Sequence, residues 1–205
     1  MNAHCRTHAP TPDLHLIQGG LEVDLPAAER AVADLLVALG QDLDDEHTSA
    51  TPGRVARAYA ELLNPRPFSP TTFPNDERYD ELVLARDIPF HSLCQHHLLP
   101  FKGVAHVGYL PGERIIGLSK LARVVELHAR RLQVQERLTQ QVADWLTEHL
   151  QPKGVGVVLE AEHLCMSLRG VGAAGSSTTT SALQGTLRDD ERSRSEFFSL
   201  VRCRP

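Results

Sequence analysis

The order of hydrophobic patterns along this 205-residue chain predicts an α+β fold. Two strand-like segments, residues 82–90 and 104–110, precede a long stretch of helical periodicity, and another apolar strand segment begins at residue 155. Two shorter segments with helical periodicity come before all of these. We therefore predict a sheet with a pair of helices between its second and third strands, covering one face of the sheet.

The N-terminal part of the chain divides into a tail and a helical segment. Residues 1–20 mix Pro, His and Thr without periodicity, so we predict a flexible tail. A helical segment is expected at residues 21–78, and one larger domain at residues 79–205. Within the segment, apolar residues recur at helical spacing over residues 25–39, and Gly40 stands where a C-terminal cap belongs.

The second helix of this segment is predicted to have Thr51 as its N-cap and Pro52 as its first residue. Arg54 and Arg57 then lie in its opening turns. Contact with water is the simplest interpretation of these arginines. The alternative is an anion that a partner surface brings to this helix end.

Ser119 is the predicted N-cap of the long helical stretch. Lys120 and Arg123 would then lie in the first turn, where the positive end of the helix dipole disfavours cations. Either both side chains point into water, or a bound anion such as phosphate compensates for them. The helical pattern continues to Leu150, with a bend near residues 131–133.

After the helices, residues 155–168 are predicted to form a buried strand that carries His163 and Cys165 on one face. The Ser/Thr-rich residues 176–181 favour a further strand, because β-branched threonines are common in strands. Residues 189–201 have the pattern of an amphipathic helix.

Candidate metal ligands lie between the first two strands. Cys94 and His97 are three residues apart, a spacing at which a tight turn can direct both side chains to one tetrahedral ion. Taken alone, the pair fits a buried structural cysteine and a hydrogen-bonded histidine equally well. Cys165 supplies a third ligand, and two thiolates with one imidazole favour zinc.

The neighbouring histidines indicate the chemistry of such a site. Three protein ligands leave room for a water molecule, whose pKa zinc lowers toward ~7. His96 and His163 are the predicted proton carriers, because each stands beside a ligand. The structural alternative is a closed site in which one of them is the fourth ligand. With cations suited to phosphate, the set indicates hydrolysis of a nucleotide.

Composition argues against several other classes of function. The formal net charge of −5 is unlike the basic surface of a general nucleic-acid binder. No apolar run approaches the ~20 residues of a membrane span, and residues 1–12 lack the apolar centre of a secretory signal. We expect a cytoplasmic protein whose four cysteines stay reduced, which favours metal or catalytic roles over disulfides.

Four motifs closely resemble the GTP cyclohydrolase I family and occur in the family's order. They are Ser92-Leu93-Cys94-Gln95-His96-His97, Gly117-Leu118-Ser119-Lys120-Leu121-Ala122-Arg123, Gln133-Val134-Gln135-Glu136-Arg137-Leu138, and His163-Leu164-Cys165-Met166 with Arg169 and Gly170. The resemblance extends from about Thr51 to the C-terminus. It implies the tunnelling fold, an antiparallel four-stranded sheet in ββααββ order, and a homodecamer of two pentamers with active sites between subunits.

The resemblance also implies a reaction, in which GTP and water give formate and 7,8-dihydroneopterin triphosphate at the entry to folate and pterin synthesis. A carboxylate suits guanine because it can accept from the N1–H and the amino group. The roles implied are Cys94, His97 and Cys165 for Zn²⁺; His96 and His163 for proton transfer; Gln135 and Glu136 for guanine; and Ser119, Lys120, Arg123 and Arg169 for the triphosphate, with Arg54 and Arg57 from a neighbouring subunit.

One residue departs from the family pattern. The family usually has glutamate between the first cysteine and the paired histidines, and this chain has Gln95. The amide removes a negative charge beside the ligands, which can alter metal affinity or the basicity of His96. Two alternatives stand beside the full reaction: a paralogue that releases a ring-opened formamidopyrimidine nucleotide, and a zinc-stabilised oligomeric binding protein without catalysis. The related nitrile reductase of this fold lacks the zinc set.

Overall fold

The computed structural model describes residues 22–203, so the predicted tail at residues 1–20 lies outside the described residues. Within this range, none of the helices combines the length and hydropathy that crossing a bilayer requires. The elements are α1 (Leu25–Ala38), α2 (Thr51–Leu62), β1 (Thr72–Pro74), β2 (Val83–Cys94), β3 (Pro100–Leu110), β4 (Arg114–Ile116), α3 (Leu118–Ala129), β5 (Leu132–Gln133), α4 (Gln135–Leu150), β6 (Gly154–His163), α5 (Leu164–Ser167), β7 (Thr178–Gly185), α6 (Thr186–Asp189) and α7 (Glu191–Arg202).

The main sheet confirms the predicted strand order. Strands β2, β3, β6 and β7 pair antiparallel in sequence, and the helices α3 and α4 stand between β3 and β6. The two-residue strand β5 adds a parallel edge to β2, at the position where the sequence predicted only a bend between helices. β1 and β4 form a separate two-stranded sheet.

The helix pair covers one face of this sheet, as predicted. Leu121 and Val125 of α3 and Leu138 and Leu146 of α4 are buried in one apolar core, together with Val157 of β6. Burial of these side chains is the main source of stability for the domain.

The C-terminal helix α7 packs against the opposite face through Phe197. Gly108 of β3 and Gly156 of β6 are cross-strand partners, and a Cβ atom on Gly156 would lie 2.8 Å from the Phe197 ring. That distance is shorter than any ordinary carbon contact, so only glycine leaves room for the ring. The Phe197 ring of α7 therefore packs directly against these paired glycines.

Helix starts are where the sequence prediction was wrong. Helix α2 begins one residue earlier than expected, with Ala50 as N-cap, because the Ala50 carbonyl already accepts from the Arg54 N–H at 3.2 Å. Helix α3 likewise has Gly117 as its N-cap, since the Gly117 carbonyl accepts from the Lys120 N–H at 2.8 Å. Ser119 is therefore a helical residue and not the cap.

The end of β6 also differs from the prediction. The strand stops at His163, and Cys165 lies in the single helical turn α5. In that turn the Leu168 N–H donates to the Leu164 carbonyl at 3.1 Å. Cys165 therefore does not share a strand face with His163, although the two side chains remain close in sequence.

Candidate active site

A tight turn at the end of β2 brings the first two predicted metal ligands together. The Cys94 N–H donates to the Leu99 carbonyl at 2.9 Å, and the Leu98 N–H donates to the Cys94 carbonyl at 2.9 Å. These bonds fold residues 95–99 back on the strand, so that His97 Nδ1 lies 3.7 Å from Cys94 Sγ. The three-residue spacing therefore brings the Cys94 and His97 side chains together, as predicted from the sequence.

The third predicted ligand reaches the turn through the pairing of β3 with β6. Their pairing ends at Phe101 and His163, so α5 begins beside the turn. The candidate donor atoms of Cys94, His97 and Cys165 all lie within 4.8 Å of one another. No other His, Cys, Asp or Glu within residues 22–203 joins this group. Two sulfur donors and one imidazole fit zinc with an open fourth position.

Within this group, the Cys165 thiol favours its neutral form. Burial raises the pKa of the Cys165 thiol, and the neighbouring Cys94 thiol raises it further. The Arg169 guanidinium acts in the opposite direction and lowers this pKa. A bound metal ion would deprotonate both thiols, because the thiolate is the ligand form.

His163 is held beside the group by two contacts. Its ring stacks on the Phe101 ring, with centroids 4.6 Å apart and planes inclined by 5°. Its Nε2 lies 2.8 Å from Oε1 of Gln135. Burial lowers the pKa of His163, while the carboxylate of Glu136 partly opposes this shift. The ring therefore favours the neutral form, which can accept a proton.

His96 is the second predicted proton carrier, and it lies on the exposed side of the turn. Its Nδ1 is 3.9 Å from Cys94 Sγ, and its Nε2 is 3.3 Å from Nε2 of Gln95. The Oε1 atom of Gln95 accepts from the Arg137 guanidinium at 2.9 Å. Gln95 thus connects His96 to an arginine, as a glutamate with a charged oxygen would also do.

The two predicted guanine contacts differ in exposure. Glu136 is exposed in the first turn of α4, beside His163. Gln135 is 1% exposed, and its amide nitrogen lies within hydrogen-bond distance of the Leu159 and Thr178 carbonyls. Both amide hydrogens are therefore used within the protein, so Gln135 has none to donate to a ligand.

Two predicted triphosphate contacts lie in a separate groove of about 380 Å³ between β2 and α3. Ser119 and Arg123 line it, together with Arg66, Glu126 and Arg130. The Glu126 carboxylate contacts all three guanidiniums: two bonds to Arg66 at 2.6 and 2.7 Å, and contacts to Arg123 at 3.1 Å and Arg130 at 3.3 Å. Arg66, which contributes most, and Arg130 hold the pKa of Glu126 below its usual value.

Arg66, Glu126 and Arg130 were not predicted from the sequence. Glu126 stands three residues after Arg123 and four before Arg130, a spacing that brings side chains together on a helix. That signal was available in the sequence. The contact with Arg66 spans 60 residues and could not be read from local spacing.

The other predicted phosphate contacts lie around the metal-ligand group and on α2. Arg169 is exposed in the loop after α5, close enough to influence the Cys165 thiol. Arg54 and Arg57 are exposed on α2. That helix lies beside the turn, because the Tyr59 hydroxyl donates to the Leu98 carbonyl at 3.1 Å. Lys120 is half-buried at the start of α3, and none of the metal-ligand side chains lines the groove.

Comparison with known proteins gives a consistent result. The family model described as GTP cyclohydrolase I matches residues 28–202. A protein of Mycolicibacterium vanbaalenii named GTP cyclohydrolase 1 is 54% identical over 185 residues, which covers 87% of this chain and 91% of that protein. The protein of the same name from Mycobacteroides abscessus is 53% identical over 183 residues, covering 87% of this chain and 90% of its own length.

A solved structure, that of the archaeosine synthase QueF-Like in the apo form, has a lower similarity. Its TM-score is 0.42 at 16% sequence identity, and the match covers 51% of this chain and 93% of that chain. This similarity is too low to support any statement about the site. The family assignment comes from the match along residues 28–202 and from the relatives of more than 50% identity. The chain belongs to the GTP cyclohydrolase I family and is an enzyme, a hydrolase.

Proposed function

We propose that the protein is a zinc-dependent GTP cyclohydrolase I, which converts GTP and water to formate and 7,8-dihydroneopterin triphosphate. The observation that carries this proposal is the Cys94, His97 and Cys165 group, with His163 held beside it in a member of this family. Bound zinc would supply Lewis acidity that activates water near neutral pH for attack on the guanine C8. The product would enter folate and pterin synthesis.

The side chains of the chain would bind the substrate and move its protons. Glu136, exposed at the start of α4, would accept from the guanine N1–H and amino group. His163 is held in a neutral form and would take a proton when water attacks, then return one as the imidazole ring opens. His96 would carry protons on the exposed side of the turn. Formate loss, rearrangement of the ribose and ring closure follow in the same site.

The triphosphate would be held by cations at two places. Ser119, Lys120 and Arg123 would contact it at the groove, and Arg169 would contact it beside the metal ligands. Arg54 and Arg57 of a neighbouring subunit would complete the site. This division supports an active site between subunits, because the groove and the metal ligands do not share a lining within one chain.

We further propose that the chain assembles as a homodecamer of two pentamers in the cytoplasm. Apolar side chains near the metal turn support contact with other copies: Leu98 is 47% exposed, Leu168 71% and Val171 75%. Closed symmetry would bring the groove of one subunit to the metal ligands of the next. Residues 21–78 would form a helical segment attached to the catalytic tunnelling-fold domain at residues 79–205.

The zinc-loaded protein incubated with GTP tests this function. We expect formate together with a pterin that becomes fluorescent after oxidation, and loss of both when a chelator removes the metal. Absence of both products from the fully zinc-loaded protein would overturn the proposal. Zinc bound by four protein ligands would instead favour a non-catalytic binding protein.

Gln95 favours one second candidate, a paralogue that stops after ring opening. Its amide bonds to Arg137 and to His96, where the family's usual glutamate would contribute a negative charge. Mass analysis of the product separates the candidates, since a retained formyl group marks the formamidopyrimidine nucleotide. If the chain stops there, Gln95→Glu is expected to restore formate release. An unchanged product from that variant would exclude Gln95 as the cause.

A further inference from the structure

The orientation of the buried Gln135 side chain is fixed by its partners. Its amide nitrogen lies 3.1 Å from the Leu159 carbonyl oxygen and 2.9 Å from the Thr178 carbonyl oxygen. Carbonyl oxygens only accept hydrogen bonds, so the atom that faces them must be the NH₂ group. The Oε1 atom therefore faces Nε2 of His163, at 2.8 Å.

Two threonines give the network a single direction. The Thr139 hydroxyl donates to the Gln135 backbone carbonyl at 2.7 Å. Its hydrogen is thus used, so in the 2.6 Å contact with Thr180 the Thr180 hydroxyl must be the donor. The Thr180 oxygen then presents only lone pairs to the Gln135 amide nitrogen at 3.2 Å, where it shares one of the two amide hydrogens with a carbonyl oxygen. Reversing the amide would place its oxygen against the Leu159 and Thr178 carbonyl oxygens and against the Thr180 oxygen, all of which are acceptors.

A carboxamide oxygen cannot donate a hydrogen bond, so the histidine nitrogen that contacts it must carry the hydrogen. We propose that Gln135 is a positioning residue that fixes the tautomer of His163, with the hydrogen on Nε2 and the free lone pair on Nδ1. The Phe101 ring, stacked at 4.6 Å, holds the plane of the imidazole. Nδ1 is then the nitrogen that accepts and returns protons.

This inference rests on the proposed function for its catalytic meaning, and it replaces the direct guanine contact that the family resemblance implied for Gln135. The two roles predict different kinetics. A positioning residue changes the rate of proton transfer and leaves substrate affinity nearly unchanged, whereas a guanine ligand changes affinity. The tautomer itself can be observed without turnover.

Solid-state ¹⁵N NMR of the zinc-loaded protein with ¹⁵N-labelled histidine gives the first test. The difference between the wild-type and His163→Asn spectra isolates the His163 signals. We expect a protonated, pyrrole-type Nε2 and an unprotonated, pyridine-type Nδ1. A wild-type spectrum with the hydrogen on Nδ1 would overturn the proposal. Because the tautomer is measured in the wild-type protein, this test does not depend on whether a Gln135 variant folds.

Gln135→Met gives the second test, because methionine has a similar length but neither an acceptor oxygen nor an amide. We expect kcat to fall about 10- to 100-fold while KM for GTP changes less than about twofold. The matched control is Gln140→Met on the exposed face of α4, which we expect to keep both constants. A tenfold rise of KM at unchanged kcat would assign Gln135 to guanine binding and overturn the positioning role.

The two tests separate this inference from the proposed function. If the wild-type protein turns over no GTP, the proposed function fails while the NMR spectrum still decides the tautomer. If it turns over GTP but carries the hydrogen on Nδ1, the inference fails and the proposed function stands.

Discussion

Two partly buried histidines of this protein, His163 and His128, differ in what surrounds their ring nitrogens. Burial lowers the pKa of both, that of His128 to about 4. His163 lies beside the metal-ligand group and bonds to Gln135. His128 lies in α3 and, within residues 22–203, neither of its ring nitrogens has a hydrogen-bond partner.

The difference teaches that a lowered histidine pKa reports burial and does not by itself report function. At His128 the charges of Arg131 and His149 lower the pKa further and Asp144 opposes them, but among residues 22–203 neither ring nitrogen has a hydrogen-bond partner. At His163 one ring nitrogen lies within hydrogen-bond distance of the Gln135 oxygen. A hydrogen-bond partner of fixed direction is therefore the more informative signal.

Removal of a metal ligand is expected to have the largest effect, because the role of His163 depends on the group beside it. Cys165→Ser should abolish zinc binding and lower GTP turnover at least about 1,000-fold, since serine is a poor zinc ligand. Metal analysis and formate release measure this. Cys203→Ser, at an exposed cysteine, is the control and should keep both. Normal zinc content in Cys165→Ser would contradict the ligand assignment.

Matched substitutions of the two histidines test the comparison directly. His163→Asn should lower kcat about 10²- to 10⁴-fold, the range expected for loss of a general acid–base group. His128→Asn should keep kcat within about twofold, because the ring nitrogens have no hydrogen-bond partner in the part of the chain that the structure describes. Steady-state formate release measures both at equal zinc content. Similar losses from the two variants would refute the distinction.

Burial of His128 should make part of the protein's stability depend on pH. Between its ordinary pKa of 6.5 and its folded pKa of about 4, the unfolded chain binds a proton at this position that the folded chain excludes. The free energy of unfolding should therefore fall by about 3 kcal/mol as the pH drops through this window. Urea titrations at fixed protein concentration measure it. His128→Asn should remove this part of the pH dependence, and an unchanged slope would contradict it.

The smallest effect is expected for the ion pair of Arg66 with Glu126, because its arginine is exposed to solvent. The Arg66 side chain is 61% exposed. When Arg66 is replaced, Glu126 still has Arg123 and Arg130 as partners. Arg66→Met should therefore leave the urea midpoint unchanged within error, because solvent screens exposed pairs. Glu126→Gln, which withdraws the shared carboxylate from the less exposed Arg130, should lower it measurably. A larger loss from Arg66→Met than from Glu126→Gln would contradict this order.

Local patterns were sufficient to predict the strand order and the helix pair, because apolar periodicity records which face of an element is buried. The pairing of Cys94 with His97 was predictable for a similar reason, since both lie in one turn. The sequence analysis correctly placed Cys165 near this pair, but it wrongly assumed that Cys165 lies on a strand. The strand ends at His163, and Cys165 lies in the helical turn that follows.

Contacts between distant parts of the chain could not be predicted in this way. The bond from Gln135 to His163 crosses 28 residues, and the pair of Arg66 with Glu126 crosses 60. Both depend on how α3 and α4 pack on the sheet. The predicted helix starts were wrong for a different reason. The backbone carbonyl of Ala50 or Gly117 can begin a helix without a capping side chain.

The two-residue strand β5 has a mechanical consequence for the site. It pairs Gln133 with Cys94, a predicted metal ligand, and Gln135 follows two residues later at the start of α4. One short stretch of backbone therefore joins the turn that carries the predicted ligands to the residue that bonds to His163. The start of α4 is thus connected to the candidate metal group on two sides, by a backbone pairing to Cys94 and by a side-chain bond to His163.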